Sequence, residues 1–526
     1  MLRCCHRPWS YRGRMPSSAE FSLEGSSSCE AGSLRLPIKR ALTESLVILL
    51  FTALGFLVMG YHPGLEDDGV YLTAVKADLN PALYSHNSEF FRLQLQASFF
   101  DGWMARFVQW TGIPLAWAEL FWQFAALFFI LWAARRIAGQ LFAERPAQWG
   151  AVAMVAAMFT LPVAGTALNI ADQHLHPRNL ATAFILLAVS RILEGRRWQA
   201  VPLLALALLL HPIMAAFGIS FCVCEALALA QRAGFRLRAA QGSLAAAAPL
   251  GWVFAPASPA WRQALNTKNY FFLNRWSWYE WLGALAPLFL FWLLWRVARK
   301  HGEVRLARFA LAVFAYGVFQ QLVAMAMLVP NSLERLAPLQ PMRYLQLVYI
   351  FMALAAGGLL GRFLLKRRAW RWAVYLLVFN GGMFLVQWEL IDAGAHLELP
   401  GLASVNPWLQ AFAWISRNTP TGAYFALDPQ YLAAPGEGFH SFRALAERSQ
   451  LSDGYKDAAV AAQVPSLARA WQQQQLAQAG WPRFQLADFE RLKAEFGVDW
   501  ALVSYPAPPG LDCGWHNGAL AVCWIP

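Results

Sequence analysis

Glu66, Asp67 and Asp68 stand side by side in the stretch Tyr61-His62-Pro63-Gly64-Leu65-Glu66-Asp67-Asp68-Gly69-Val70-Tyr71, directly after the apolar run 41–60. An acidic residue in hydrocarbon costs about 2.5–3.5 kcal/mol on the insertion scale, so three in a row must lie just past the membrane core. A carboxylate there can take a proton, orient a substrate or hold a cation. The cluster reads as the reactive centre. The plainer reading is a solvated acidic turn or a helix N-cap. Acidic residues barely influence orientation, however, and a cap explains one carboxylate and not three.

Other residues able to do chemistry gather in later loops. One reads Asp172-Gln173-His174-Leu175-His176-Pro177-Arg178-Asn179, another is His211-Pro212, a third carries Lys268 and Arg275, and a fourth ends at Arg343. Three His-Pro pairs (62–63, 176–177 and 211–212) fall at helix ends, where proline is a boundary device. Asp172, His174, His176 and His211 with Asp67 or Asp68 offer the oxygen and imidazole ligands of a divalent site. No metal is assigned on this pattern, the default reading being histidines that hydrogen-bond or sit at the interface; were a divalent cation such as Mg²⁺ or Mn²⁺ bound, Asp67, Asp172 and His174 are the candidate ligands.

What must position these groups is a membrane domain. The 526 residues are 58% hydrophobic and 14% charged, against about 25% charged in an average soluble domain. The net charge of +12 would suggest nucleic acid in a soluble protein; here the basic residues cluster in alternate loops, which is topology information, and nucleic acid is discounted. Apolar runs predict a polytopic α-helical membrane protein with about eleven transmembrane helices, at 41–60, 114–134, 148–168, 179–194, 198–210, 212–231, 241–255, 280–298, 306–329, 343–364 and 370–390. With the N-terminus cytoplasmic, inside segments carry 26 Lys and Arg against 9 outside, as the positive-inside rule requires. The transmembrane domain is then 41–390 with a long first outer loop, 61–113, containing interfacial helices near 90–95 and 103–110. Residues 1–40 read as a disordered basic cytoplasmic leader, with an over-extended start as the alternative. Residues 391–526 read as a small exported α/β domain, with strands at 423–427 and 500–505 and helices at 407–417, 464–478 and 486–496. Cys513 and Cys523 flank an Asn517-Gly518 hairpin signal, and a disulfide between them fits an oxidising compartment.

The acidic pair in a long first outer loop, the interfacial helices, the many spans and the exported α/β domain resemble the GT-C class of integral-membrane glycosyltransferases. More closely, His176-Pro177-Arg178-Asn179-Leu180-Ala181, Leu339-Gln340-Pro341-Met342-Arg343 and the segment from Phe442-Arg443 through Arg448-Ser449 to Lys456-Asp457 resemble a bacterial polytopic membrane family of unknown function. A Trp-Trp-Asp acceptor motif of oligosaccharyltransferases is not found, which argues against peptide glycosylation. The resemblance implies a bacterial inner-membrane protein with a periplasmic C-terminal domain. It also implies a sugar leaving a polyprenyl phosphate as an acceptor hydroxyl attacks. Asp67 or Asp68 would be the base, with the neighbouring carboxylates, Glu66 among them, raising its proton affinity or positioning the acceptor. Arg343, Arg178, Lys268 and Arg275 would meet the leaving phosphate, Arg343 foremost, with Asp172, His174, His176 and His211 lining the substrate site. The competing expectation is a glycolipid transporter, flippase or assembly protein, for which Glu119 and Glu225 are the mid-span candidates. A catalytically inactive lipid-binding relative is the third.

Overall fold

The computed structural model describes residues 27–230, 255–391 and 394–526. The chain divides into two compact units, Met1–Val47 and Ile48–Pro526. Of the first, residues 27–47 are helical and begin α1 (Ser27–Met59). The leader expected to be disordered over 1–40 is therefore helical from Ser27. Once the apolar run has nucleated a helix, each further residue adds a hydrogen bond at little cost. The readings placed on residues 1–26 lie outside the described residues.

Six helical runs among the described residues are long and apolar enough to cross a membrane: Ala41–Met59, Leu115–Leu141 (α5), Trp278–Lys300, Val304–Leu328, Ser332–Leu365 and Ala369–Leu390. The expected eleven are not all of this kind. The third expected span is α6 (Arg145–Ala157), whose 13 residues are followed by a hairpin of β1 (Pro162–Val163) and β2 (Leu168–Asn169). At about 1.5 Å per residue α6 reaches about 20 Å, short of a hydrocarbon core of about 30 Å. Pro162 supplies no N–H to prolong it, and Gly165 turns the chain back with φ +62°. Also short are α7 (Pro177–Leu193) and α8 (Arg197–Leu210); α9 (Pro212–Ala230) follows α8 after the extended His211. The seventh expected span, 241–255, lies outside the described residues except at its last position.

These short elements matter because they draw the loop 171–178 into the bundle, where every one of its residues is buried. Non-helical backbone survives among membrane helices only where its polar groups find partners or line a cavity. Here Gln123 of α5 donates to the Asp172 carbonyl (2.7 Å), Asn179 accepts from the Asp172 N–H (3.0 Å), and the His62 N–H donates to the Gln173 carbonyl (3.0 Å). Beneath the loop, α6 packs against the helix Leu345–Leu360. Gly150 and Gly357 face each other so closely that a Cβ on either would run into the other's carbonyl. Such small-residue faces let helices meet in lipid, where no hydrophobic gain drives them together.

The first loop forms α2 (Tyr71–Leu79), α3 (Glu89–Leu95) and α4 (Phe100–Thr111), near the two interfacial helices expected. Tyr71, Val75, Phe90 and Phe91 share a core with Val460, Ala461 and Trp471 of the C-terminal region. That region holds a five-stranded sheet, ordered β4 (Ser449–Gln450), β3 (Tyr424–Ala426), β5 (Trp500–Ser504), β7 (Leu520–Trp524), β6 (Asp512–His516). The first three strands pair in parallel and the last two join antiparallel. Alternation splits each strand between two cores. Ala501 and Val503 face Phe489 and Leu492 of the helix Leu486–Phe496, while Leu502 faces Phe412 and Ile415 of the helix Pro407–Asn418. In the terminal hairpin Cys513 and Cys523 are directly opposite and disulfide-bonded.

Candidate functional site

Glu66–Gly69 form a single 3₁₀ turn, in which successive side chains leave about 120° apart. The neighbouring carboxylates therefore face different surroundings. Glu66 and Asp67 open on a cavity of about 1180 Å³, whereas Asp68 is absent from its walls. Asp68 turns inward, accepts a hydrogen bond from the Gly64 N–H (2.8 Å) and leaves its other oxygen buried without a partner. Burial, then the Glu119, Asp67 and Asp172 carboxylates, push Asp68 well above the usual carboxylate range.

Asp67 is treated oppositely. Burial alone would raise it, but Lys456, His176 and Arg178 hold it well below the ordinary range. The Lys456 ammonium donates to its Oδ1 at 2.8 Å, His176 Nε2 lies 3.3 Å from its Oδ2, and Arg178 Nη2 is 4.0 Å from the same oxygen. The expectation that adjacent carboxylates bring the base toward neutral pH is thus corrected. Their mutual effect falls on Asp68, which faces away, while Asp67 on the cavity is an ionised carboxylate with three cationic or N–H neighbours.

The other walls come from elements far apart in sequence. His176 caps α7, its Nδ1 accepting the Arg178 N–H at 2.9 Å. That bond fixes the ring proton on Nε2, aimed at Asp67. Arg178 forks onto Asp172 with bonds of 3.1 and 2.5 Å, and Asp172 is lowered to about 2: burial opposes this and the Arg178 charge wins. Burial lowers His174 to about 3, so it is neutral. His174, His211, Lys268 and Arg343 also line the cavity. Lys268 donates to the Tyr455 carbonyl at 2.6 Å and stacks over the Tyr455 ring; burial, with the like charge of Lys456, lowers it to about 8.

Pairing the charges leaves a remainder. Arg178 is matched by Asp172, and Lys456 by Asp67 with Glu66 at 3.5 Å. Glu280, also on the wall, is engaged by the Ser277 N–H in a helix cap (2.7 Å). The Arg343 guanidinium makes no ion pair or hydrogen bond among the described residues, and its Nε is buried without a partner, as are Arg178 Nη1 and both ends of the Gln340 amide. Arg343 and Lys268 are thus the two wall cations that no carboxylate pairs among the described residues.

Two expectations fail. Arg275 is not on the cavity; it braces its own loop through Asn266 Oδ1 (2.6 Å) and the Asn266 carbonyl (3.2 Å). Asp67, Asp172 and His174 do not form a metal-like group, because Arg178 occupies Asp172 and His174 lies nearer Asp68. Among the described residues the compact His and carboxylate group is His62, Glu398 and His440. The sequence reading also missed Lys456, 389 residues from Asp67. Its local signal was there. Asp453 accepts from the N–H groups of Tyr455, Lys456 and Asp457 (2.8, 2.5 and 3.1 Å), a cap that starts the helix Lys456–Gln463 and aims its first residue. Arg443 forks onto the buried Asp457 at 2.6 and 2.8 Å and fixes that helix.

No protein-family model matches this sequence, and no curated protein is similar to it.

Proposed function

We propose that this chain is a membrane glycosyltransferase of the GT-C type, drawing a sugar from a polyprenyl phosphate. The observation that carries the reading is one cavity whose lining holds the ionised carboxylate of Asp67 together with two cations, Arg343 and Lys268, that no carboxylate pairs among the described residues. The acceptor oxygen attacks the anomeric carbon, its bond to the sugar forms, and the bond to the phosphate oxygen breaks. Asp67 receives the hydroxyl proton as this happens. Arg343 and Lys268 meet the charge gathering on the departing lipid phosphate. His176, through Nε2–H, and Lys456 hold Asp67 in place. Asp68, buried and off the cavity, supports the turn.

In this reading the six long helices frame a domain that crosses the bilayer an odd number of times, eleven by the sequence. The basic-residue asymmetry then sets the N-terminus in the cytoplasm of a bacterial inner membrane and the sheet domain in the periplasm.

The test is Asp67→Asn, which keeps the shape and removes the base. Sugar transfer from a defined polyprenyl-phosphate donor in membranes is expected to fall by a factor of about 100 to 10,000, with expression unchanged. Full activity in that variant ends the proposal. A second reading, a proton-coupled glycolipid transporter, is favoured by the raised Asp68 beside the buried Glu119. It expects Asp68→Asn, not Asp67→Asn, to be the damaging change, with glycolipid flux as the readout.

A further inference from the structure

His440 needs a second proton or a cation on its Nε2 side. Its Nδ1 lies 3.1 Å from the Glu437 carbonyl, which can only accept, so Nδ1 bears the proton. In the neutral ring Nε2 is then a bare lone pair, yet it faces both Glu398 oxygens at 3.0 and 3.1 Å. Two acceptors do not approach so closely without a positive centre between or beside them. On the other side of the same carboxylate is His62, fully buried, with Nδ1 3.4 Å from Glu398 Oε1 and neither ring nitrogen hydrogen-bonded. The three ligand atoms lie within 4.8 Å of one another.

We infer that His62, Glu398 and His440 form a zinc site. Two ligands about 2.05 Å from a tetrahedral zinc are about 3.3 Å apart, close to the nitrogen–oxygen separations found here. Two imidazoles with one carboxylate suit zinc better than the all-oxygen preference of magnesium or calcium. A ligand histidine whose other nitrogen donates to a backbone carbonyl is the usual supporting arrangement, and His440 has it. None of the three residues lines the large cavity, so the site is separate from the one that holds Asp67.

Its ligands come from three segments already laced together by backbone bonds. The Glu398 N–H donates to the Tyr61 carbonyl (2.9 Å), Ser441 to Gly64 (2.8 Å) and Glu66 to Phe439 (2.8 Å). The ion would clip the end of the first membrane helix, the exit from the last one and the sheet domain into one corner. Four residues past His62 begins the turn bearing Asp67.

The experiment uses the full chain purified in detergent on a tag without histidines, incubated with zinc and desalted. The wild type is expected to retain about one zinc per chain by elemental analysis, and His440→Ala and Glu398→Ala to fall to background. In the wild type, chelation should lower Tm by a few degrees and zinc alone should restore it. Should the variants not fold, the wild type decides: cobalt in place of zinc must give the visible absorption of a tetrahedral histidine site. Zinc no higher in the wild type than in His440→Ala overturns the proposal, as does a Tm indifferent to chelator with no cobalt spectrum. The proposal would then give way to a plain histidine–carboxylate pair. Neither result depends on sugar transfer.

Discussion

Adjacent residues Asp67 and Asp68 differ in environment because a tight turn sends their side chains to different surroundings. One meets Lys456 and is held well below the ordinary carboxylate range; burial and Glu119 push the other well above it. Lys268 gives the residue scale its pH prediction. Burial lowers it to about 8, so its charge is present below that pH and lost above it. Binding of polyprenyl phosphate is expected to weaken as pH rises through and above 8, and Lys268→Met should bind weakly with no such step. Titrating labelled polyprenyl phosphate between pH 6.5 and about 9.5 checks this. An unchanged pH dependence in the variant would remove Lys268 from the anion site.

At the scale of elements, the site depends on helices that stop early. The short α6 and the hairpin after it let the loop 171–178 enter the bundle, and α6 is held by glycine contact with the helix Leu345–Leu360. Gly357→Leu forces that pair apart and is expected to cost about 1–3 kcal/mol or more as overpacking. A control is at hand in Gly382, also helical, where an added Cβ meets nothing within 4 Å. Thermal unfolding in detergent should show a clear drop for Gly357→Leu and little change for Gly382→Leu. Equal effects would mean the contact is not what seats α6.

Across the whole molecule, the cavity exists only because the C-terminal region closes over the first loop. Lys456 starts a helix there and pairs with Asp67, while Lys76 of α2 reaches Glu447 at 2.7 Å. Removing Lys456 takes away the largest influence lowering Asp67 and leaves burial to raise it. Lys456→Met should therefore give sugar transfer an acid limb, with activity falling as pH drops and Asp67 takes up a proton. Wild-type activity should show no such limb above pH 5, where Asp67 is fully ionised. The pH–rate profiles of the two proteins measure it. Identical profiles would separate Lys456 from the chemistry.

Apolar runs, loop charge and the period-two strands were legible in the sequence because each is a local record of burial or of lipid contact. So were the Cys513–Cys523 hairpin and the gathering of acidic, imidazole and basic side chains in the stretches 66–68 and 172–178. Which carboxylate faces the cavity was not legible, since that follows from a turn's rotation and from neighbours at positions 119 and 456. Nor was the short reach of α6, whose apolar residues run on into a hairpin with the same hydropathy as a span. The pairing of Asp67 with Lys456, and the meeting of His62, Glu398 and His440, join segments hundreds of residues apart. No local pattern encodes such contacts; they arise only when packed helices and a docked sheet bring distant backbone into register.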